Sequence, residues 1–355
     1  MPESTRDSGS VTAPQGRPVI SVKGSVSNRL LLTLAISDYD HTRDFTSGEV
    51  MADGIEICHQ KLGVEEIFFR MLKDREFDAS ELSMAKFTSM VSQGDDSLVG
   101  IPVFPSRVFR HSSIYVKRGG PVKAPADLKG RKVGIPEWAQ TASVYSRGFL
   151  MHQFGLKLQD IEWLQAGVNN PGRVEKVALK LPDGVRYKPM PEHSLEEMLL
   201  NGMIDAMASA HPPDGFEHGN PDIVRLFPNY QAVELDYYKQ TGIFPIMHVV
   251  AIRRDLYERA PWIAMSLFKG FEEAKRRSLY RSTEMTASRF PIPWSFHHAD
   301  DYTKLFGPDP FPYGIEGNRK TIEAFLTYGY EQGTFHRLLK PEDLFPPQFG
   351  HSFKI

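Results

Sequence analysis

Two apolar stretches broken by proline constrain the fold of this chain more than any other feature. Residues 100–116, GIPVFPSRVFRHSSIYV, begin and end as β-type segments but are interrupted at Pro102 and Pro105. Residues 242–252, GIFPIMHVVAI, form a long apolar strand interrupted at Pro245. Proline removes a ladder donor, so each interruption marks a place where the chain leaves a sheet. The stretches bracket an α/β unit and are read as two strands linking two lobes. The first also carries Arg107, Arg110, His111, Ser112 and Ser113 between its β-type ends. Cations, an imidazole and hydroxyls make a poor core but suit a site that receives an anion.

The segment before the first crossing alternates strand and helix. Residues 30–36 (LLLTLAI) read as a buried strand and 54–60 as a second. Within 64–75, Ile67, Phe68, Met71 and Leu72 recur at helical spacing. Residues 77–83 give a short strand ending in Ser83, and 84–94 a helix ending at Gly94. This order predicts a mostly parallel sheet. The middle unit repeats it with a strand at 132–135, a helix from near Thr141, a strand at 159–164 and a Pro- and Gly-rich run over 165–190 ending in a strand. It closes with a helix, the Gly202 turn, a strand and a loop at His211–Pro213. After the second crossing the chain is helical with aromatic loops. The expected organisation is a disordered tail at 1–27, a discontinuous first lobe at 28–113 plus 250–355, and a second lobe at 114–249.

A chain of 355 residues exceeds the usual size of one hydrophobic core, which fits two lobes. A formal net charge of −2 gives no global field for nucleic acid or an anionic membrane, so neither is expected as a partner. The single cysteine, Cys58, rules out an intramolecular disulfide and a multi-cysteine metal site. Residues 1–27 are rich in Ser, Pro and Gly and carry no continuous apolar run of the kind a secretory signal has, so a cytoplasmic location is expected. No later stretch is apolar for long enough to span a bilayer.

The phrases GDDSLVGIPVFPSRVFRHSSIYV, DLKGRKVGIPEWAQTASVYSRGFL, DYYKQTGIFPIMHVVAIRRD and DPFPYGIEGNRKTIEAFLTYGYEQG resemble the 4,5-dihydroxyphthalate decarboxylase family. The resemblance runs in order over roughly residues 30–345. It implies a two-lobed α/β fold like that of type 2 periplasmic binding proteins, with a ligand cleft between the lobes and two crossing strands as hinge. It further implies decarboxylation of a hydroxylated aromatic dicarboxylate without a cofactor. One position departs from the pattern. Where the family has an Arg-Pro-Pro-like loop, this chain has His211-Pro212-Pro213, a titratable group in place of a permanent cation.

Removing CO2 from a benzene ring requires that the carboxylate be held, that the ring carbon be protonated, and that a hydroxyl supply electron density. Arg107 and Arg110 are the candidate carboxylate ligands, and a surface or interlobe ion pair is the competing structural role. His111, His248 and His211 are the candidate acid–base groups. Strand alternation would put His111 on the face opposite Arg110. His248 sits in an apolar strand, where a satisfied core histidine is the plain alternative, whereas His211 stands at a strand's C-terminal end. Ser83 shares that topological position, and Ser112 completes the first crossing. Trp138 could stack on a ring or anchor the core, and Thr141 could cap its helix beside an anion, with Gln140 next to it. Asp38 and His41 lie in the first loop. His297-His298-Ala299-Asp300-Asp301 reads as a solvated loop, so no metal is expected. The competing function is capture of an aromatic or other carboxylate without chemistry, as a solute receptor or a sensor. Receptors are normally exported, so the tail composition favours the enzyme. Exposed aromatic residues in the C-terminal loops point to a homo-oligomer.

Overall fold

The computed structural model describes residues 29–350; the tail expected at 1–27 lies outside them. Strands β1 (Leu30–Ala35), β2 (Ile55–Gln60), β3 (Ala79–Ser83) and β4 (Leu98–Ile101) precede the first crossing. Strands β5 (Ile114–Lys117), β6 (Lys132–Ile135), β7 (Glu162–Gly167), β8 (Arg186–Ser194), β9 (Ala206–Ala208) and β10 (Ile223–Arg225) follow it, and β11 (His248–Arg253) follows the second. They form two sheets, ordered β2-β1-β3-β11-β4 and β10-β5-β9-β6-β7-β8. In the first sheet β1 pairs in parallel with β2 and β3, whereas β11 returns antiparallel between β3 and β4.

All five residues of β3 are buried, including Glu81. That burial follows from its place between β1 and β11 with helices over the sheet. A carboxylate there must find hydrogen-bond donors or be strongly destabilising. The helix Val64–Asp74 turns Ile67 and Met71 into the core, as their spacing predicts. Helix Thr141–His152 is buried over most of its length and packs on helix Arg319–Glu331, where Tyr145 stacks on Phe325 at 4.9 Å. A Cβ at position 148 would come within 2.3 Å of the Tyr328 ring, so Gly148 is what lets these helices touch.

Both crossings leave the sheets at their prolines. β4 ends at Ile101, and the chain then meets the second crossing in a single antiparallel bridge, Arg107 with Ile246. The Met247 amide donates to Ser106 at 2.8 Å and the Val108 amide to Pro245 at 3.2 Å. Pro245 keeps residues 242–247 out of the sheet, so β11 starts only at His248. Residues His111–Ser113 form a 3-10 turn. Three differences from the sequence reading lie elsewhere. The strand expected at 159–164 is displaced to Glu162–Gly167, and helix Tyr230–Thr241 had no clear sequence signal. The aromatic loop expected around His297–Asp301 is part of helix Ser295–Phe306, where Lys304 pairs with Asp300 one turn away at 2.6 Å.

Candidate active site

A cavity of about 560 Å³ opens between the two sheets. Phe68, Ser83 and Lys86 contribute from the first, Arg110, Met247 and His248 from the crossings, and Thr141, Arg173 and His211 from the second. Strand register explains why the cavity has a histidine at its base. His248 lies opposite Ser83 and Val250 opposite Glu81. His248 and Glu81 are therefore diagonal neighbours on one sheet face.

Glu81 is fully buried and its Oε1 lies 2.5 Å from His248 Nδ1. A carboxylate only accepts, so Nδ1 carries the proton of that bond. This leaves Nε2 as the ring nitrogen available to the cavity. Two further donors fix the carboxylate. The Ser37 amide donates to Oε2 at 3.0 Å and the Tyr39 hydroxyl donates to Oε1. Burial first, and then the Glu81 charge, push the Tyr39 phenol far above its ordinary range, so it remains a neutral donor. Phe68 meets the His248 ring edge-on at 5.0 Å. The imidazole is thus held on both sides, oriented, and still reachable from the cavity.

The walls carry an excess of positive charge. Lys73, Arg75, Lys86, Arg110, Arg173 and Lys176 line the cavity, against Glu65 and Asp95. Behind them, Glu137 has no exposed surface and meets Lys86 at 2.8 Å, Arg173 at 2.8 Å and Lys176 at 3.6 Å. Burial alone would raise the Glu137 carboxyl. Lys86, Arg173 and Lys176 outweigh it and hold the group below the usual carboxylate range. Arg110 is buried, and among the described residues no carboxylate lies within ion-pair distance of it, Glu234 acting on it from farther away. Its Nε donates to Met247 Sδ at 3.1 Å and its Nη1 to the Ala210 carbonyl at 3.4 Å. Burial lowers its pKa to about 10, which leaves it a cation at neutral pH. Helices Met84–Ser92 and Thr141–His152 both begin at the cavity, tied by Ser83 Oγ and Thr141 Oγ1 at 3.0 Å. Their N-terminal ends add to the positive potential.

Of the residues considered from the sequence, Ser83, Arg110, Thr141, His211 and His248 line this cavity, with His211 exposed at the mouth, 3.8 Å from Glu65. Other expected residues lie elsewhere. His111 is buried against Phe149 at 4.0 Å, with Nε2 on Gln153 at 2.8 Å. The 3-10 turn does break strand alternation, but it turns the ring into an aromatic cluster away from the cavity. Arg107 donates to the carbonyls of Phe244 (3.1 Å) and Pro312 (2.8 Å) and to Asn318, which makes it a clamp between loops. The Ser112 amide is taken by Glu234 at 3.0 Å. Trp138 is a core anchor whose indole donates to Gln332 at 2.9 Å, with Arg147 over its ring. Asp38 is half-exposed and paired with Lys61 at 2.5 Å. His41 is half-buried against Phe311. Among the described residues, no group of three or more His, Cys, Asp or Glu is placed to hold a metal ion.

Glu81, Tyr39, Lys86 and Arg173 had not been singled out. For Glu81 and Lys86 the one sequence signal is a lone charge in the short segments ASELS and MAKFT; Tyr39 and Arg173 stand in polar loops and carry none. A larger cavity, about 1410 Å³, lies between helices Trp262–Thr283 and Ser295–Phe306 and is lined by Arg107 and Ser112. It has no histidine, and several of its charges neutralise one another, Lys275 with Glu272 and Asp309, and Arg276 with Glu273. The smaller cavity has the surplus cations and the oriented imidazole.

None of the protein-family models compared matches the chain. It is 36% identical over 329 residues to a 4,5-dihydroxyphthalate decarboxylase of Comamonas testosteroni, covering 92% of this chain and 100% of that one. It is 37% identical over 215 residues to a 4,5-dihydroxyphthalate decarboxylase of Pseudomonas putida, covering 60% of this chain and 83% of that one. Among solved structures, the periplasmic aliphatic sulphonate binding protein SsuA of Escherichia coli superposes with a TM-score of 0.50 and 13% identity, covering 90% of this chain and 98% of that one. At that identity the likeness bears on fold alone. The chain belongs to the 4,5-dihydroxyphthalate decarboxylase family and has the two-lobed fold of type 2 periplasmic binding proteins.

Proposed function

We propose that this protein is a carboxy-lyase that converts 4,5-dihydroxyphthalate, or a closely similar hydroxylated aromatic dicarboxylate, to 3,4-dihydroxybenzoate and CO2. The observation that carries the reading is His248, locked by Glu81 with Nε2 free toward a cavity rich in cations. The curated relatives bear the name of this reaction. In the proposed step the ionised hydroxyl para to the departing carboxylate pushes electron density into the ring. The ring carbon bearing that carboxylate takes the proton from His248 Nε2. The C–C bond then breaks, its electron pair restores the aromatic ring, and CO2 leaves. The Glu81 carboxylate offsets the charge the imidazole carries before it gives up that proton, and solvent returns the proton afterwards. Arg110 orients the carboxylate beside His248.

Purified protein given 4,5-dihydroxyphthalate without added metal or nucleotide should release CO2 and accumulate 3,4-dihydroxybenzoate. Tight binding with no CO2 release would overturn the proposal in favour of simple capture. A cytoplasmic location belongs to the same proposal and is supported by the lone cysteine, which fits a reducing compartment. No helix among the described residues is long and apolar enough to cross a membrane. Self-association is also proposed, because Tyr280, Met285, Ile292, Trp294 and Tyr302 expose apolar surface along one segment. Sedimentation velocity should show a species larger than the monomer that Trp294→Ser with Tyr302→Ser dissociates; a wild-type monomer would refute it.

A further inference from the structure

Two separate cationic centres line the cavity, and they differ in a way that matters for losing one carboxylate and keeping the other. Arg110 is a single guanidinium that, among the described residues, has no acidic partner within ion-pair distance; Glu234 acts on it only at longer range, and it leans on Met247, the residue before His248. Lys86, Arg173 and Lys176 instead converge on the buried Glu137, which fixes their positions. One carboxylate cannot neutralise three cations. Glu65 offsets Arg173 at 3.2 Å, so a net positive charge remains facing the cavity.

The chemistry assigns these centres different tasks. A departing carboxylate becomes neutral CO2, so every cation pressed against it is stronger in the ground state than in the transition state and slows the step. A retained carboxylate keeps its charge throughout, and strong binding there costs the reaction nothing. The three-cation centre would be a poor host for the group that leaves and a good one for the group that stays.

Building on the decarboxylase reading, we propose that Lys86, Arg173 and Lys176, positioned by Glu137, form the subsite for the carboxylate retained in the product. Arg110 and His248 receive the one that departs. The arrangement also stops the reaction after one turnover step. The product still has a carboxylate para to a hydroxyl, but that carboxylate is held away from the His248 proton.

The test uses product as the probe, since 3,4-dihydroxybenzoate lacks the departing carboxylate. Its affinity, measured by calorimetry on the full chain, should fall about ten- to a hundredfold in Lys86→Met and stay within about threefold in Arg110→Met. The affinity for 4,5-dihydroxyphthalate should fall in both. Equal losses of product affinity in both variants, or a loss confined to Arg110→Met, would overturn the assignment. Should Lys86→Met fold poorly by circular dichroism, Arg173→Gln addresses the same centre. CO2 release by the wild-type protein reports on the decarboxylase reading separately, so the subsites stand or fall on binding alone.

Discussion

Glu81 is the residue on which the proposed chemistry turns. An imidazole in a cavity wall can adopt either tautomer and rotate between orientations. The Glu81 carboxylate removes that freedom, and Tyr39 and Ser37 remove the freedom of Glu81. Replacing His248 with Gln should lower kcat by about 10²–10⁴ while leaving substrate affinity within a few fold, because proton transfer is lost and the cations remain. Glu81→Gln keeps the volume but removes the negative charge that offsets the protonated imidazole before it gives up its Nε2 proton. It should lower kcat by a similar order, with a product affinity close to wild type. Steady-state kinetics paired with calorimetry decides both. A change confined to KM would show that His248 binds but does not transfer the proton. His248 and Arg110 draw attention in the sequence because polar groups follow the prolines of two otherwise apolar crossings. Glu81 was not, because alternation in ASELS gives no hint that both faces of the strand are covered.

At the level of elements, the 3-10 turn His111–Ser113 is where sequence reasoning about orientation failed. Alternation assumes a strand, and the prolines upstream end that strand without revealing what replaces it. The turn places His111 in an apolar cluster, with Nδ1 buried and unpaired, and burial lowers its pKa to about 4 from 6.5. The native ring is therefore neutral, and the unfolded chain takes up a proton first as pH falls. This contribution to stability is fully present above pH 6.5 and is lost as pH falls toward 4, by up to about 3 kcal/mol. At the half-buried His41, desolvation likewise lowers the pKa to about 4. His111→Gln keeps a donor for Gln153 and removes the titration. Urea midpoints measured between pH 6.5 and 5 should fall less steeply in this variant than in wild type. Parallel slopes would mean that His111 is protonated in the native state.

Across the whole molecule, the sequence announced two lobes and two crossings, because strand–helix alternation and proline positions are local signals. It did not announce how the lobes meet, since contacts between side chains far apart in sequence leave no periodic trace. Among the described residues, two ion pairs of Lys or Arg with Glu span the cavity. Lys86 on the first-lobe helix meets Glu137 on the second lobe at 2.8 Å, and Glu65 on helix Val64–Asp74 meets Arg173 at 3.2 Å. The first is buried and the second is partly exposed at the mouth. An exposed pair contributes about 0.2–1 kcal/mol, enough to bias an open–closed equilibrium by up to about fivefold. Glu65 also places a negative charge where an anionic substrate must enter. Glu65→Gln should therefore raise both rates of ligand exchange: association because repulsion at the mouth is relieved, and dissociation because a latch is lost. Stopped-flow binding at low ionic strength measures the two separately. Salt screens the exposed pair and leaves the buried one largely intact, so at 1 M salt the wild-type and variant rates should converge. A raised association rate with unchanged dissociation would show that Glu65 steers the substrate without holding the lobes together.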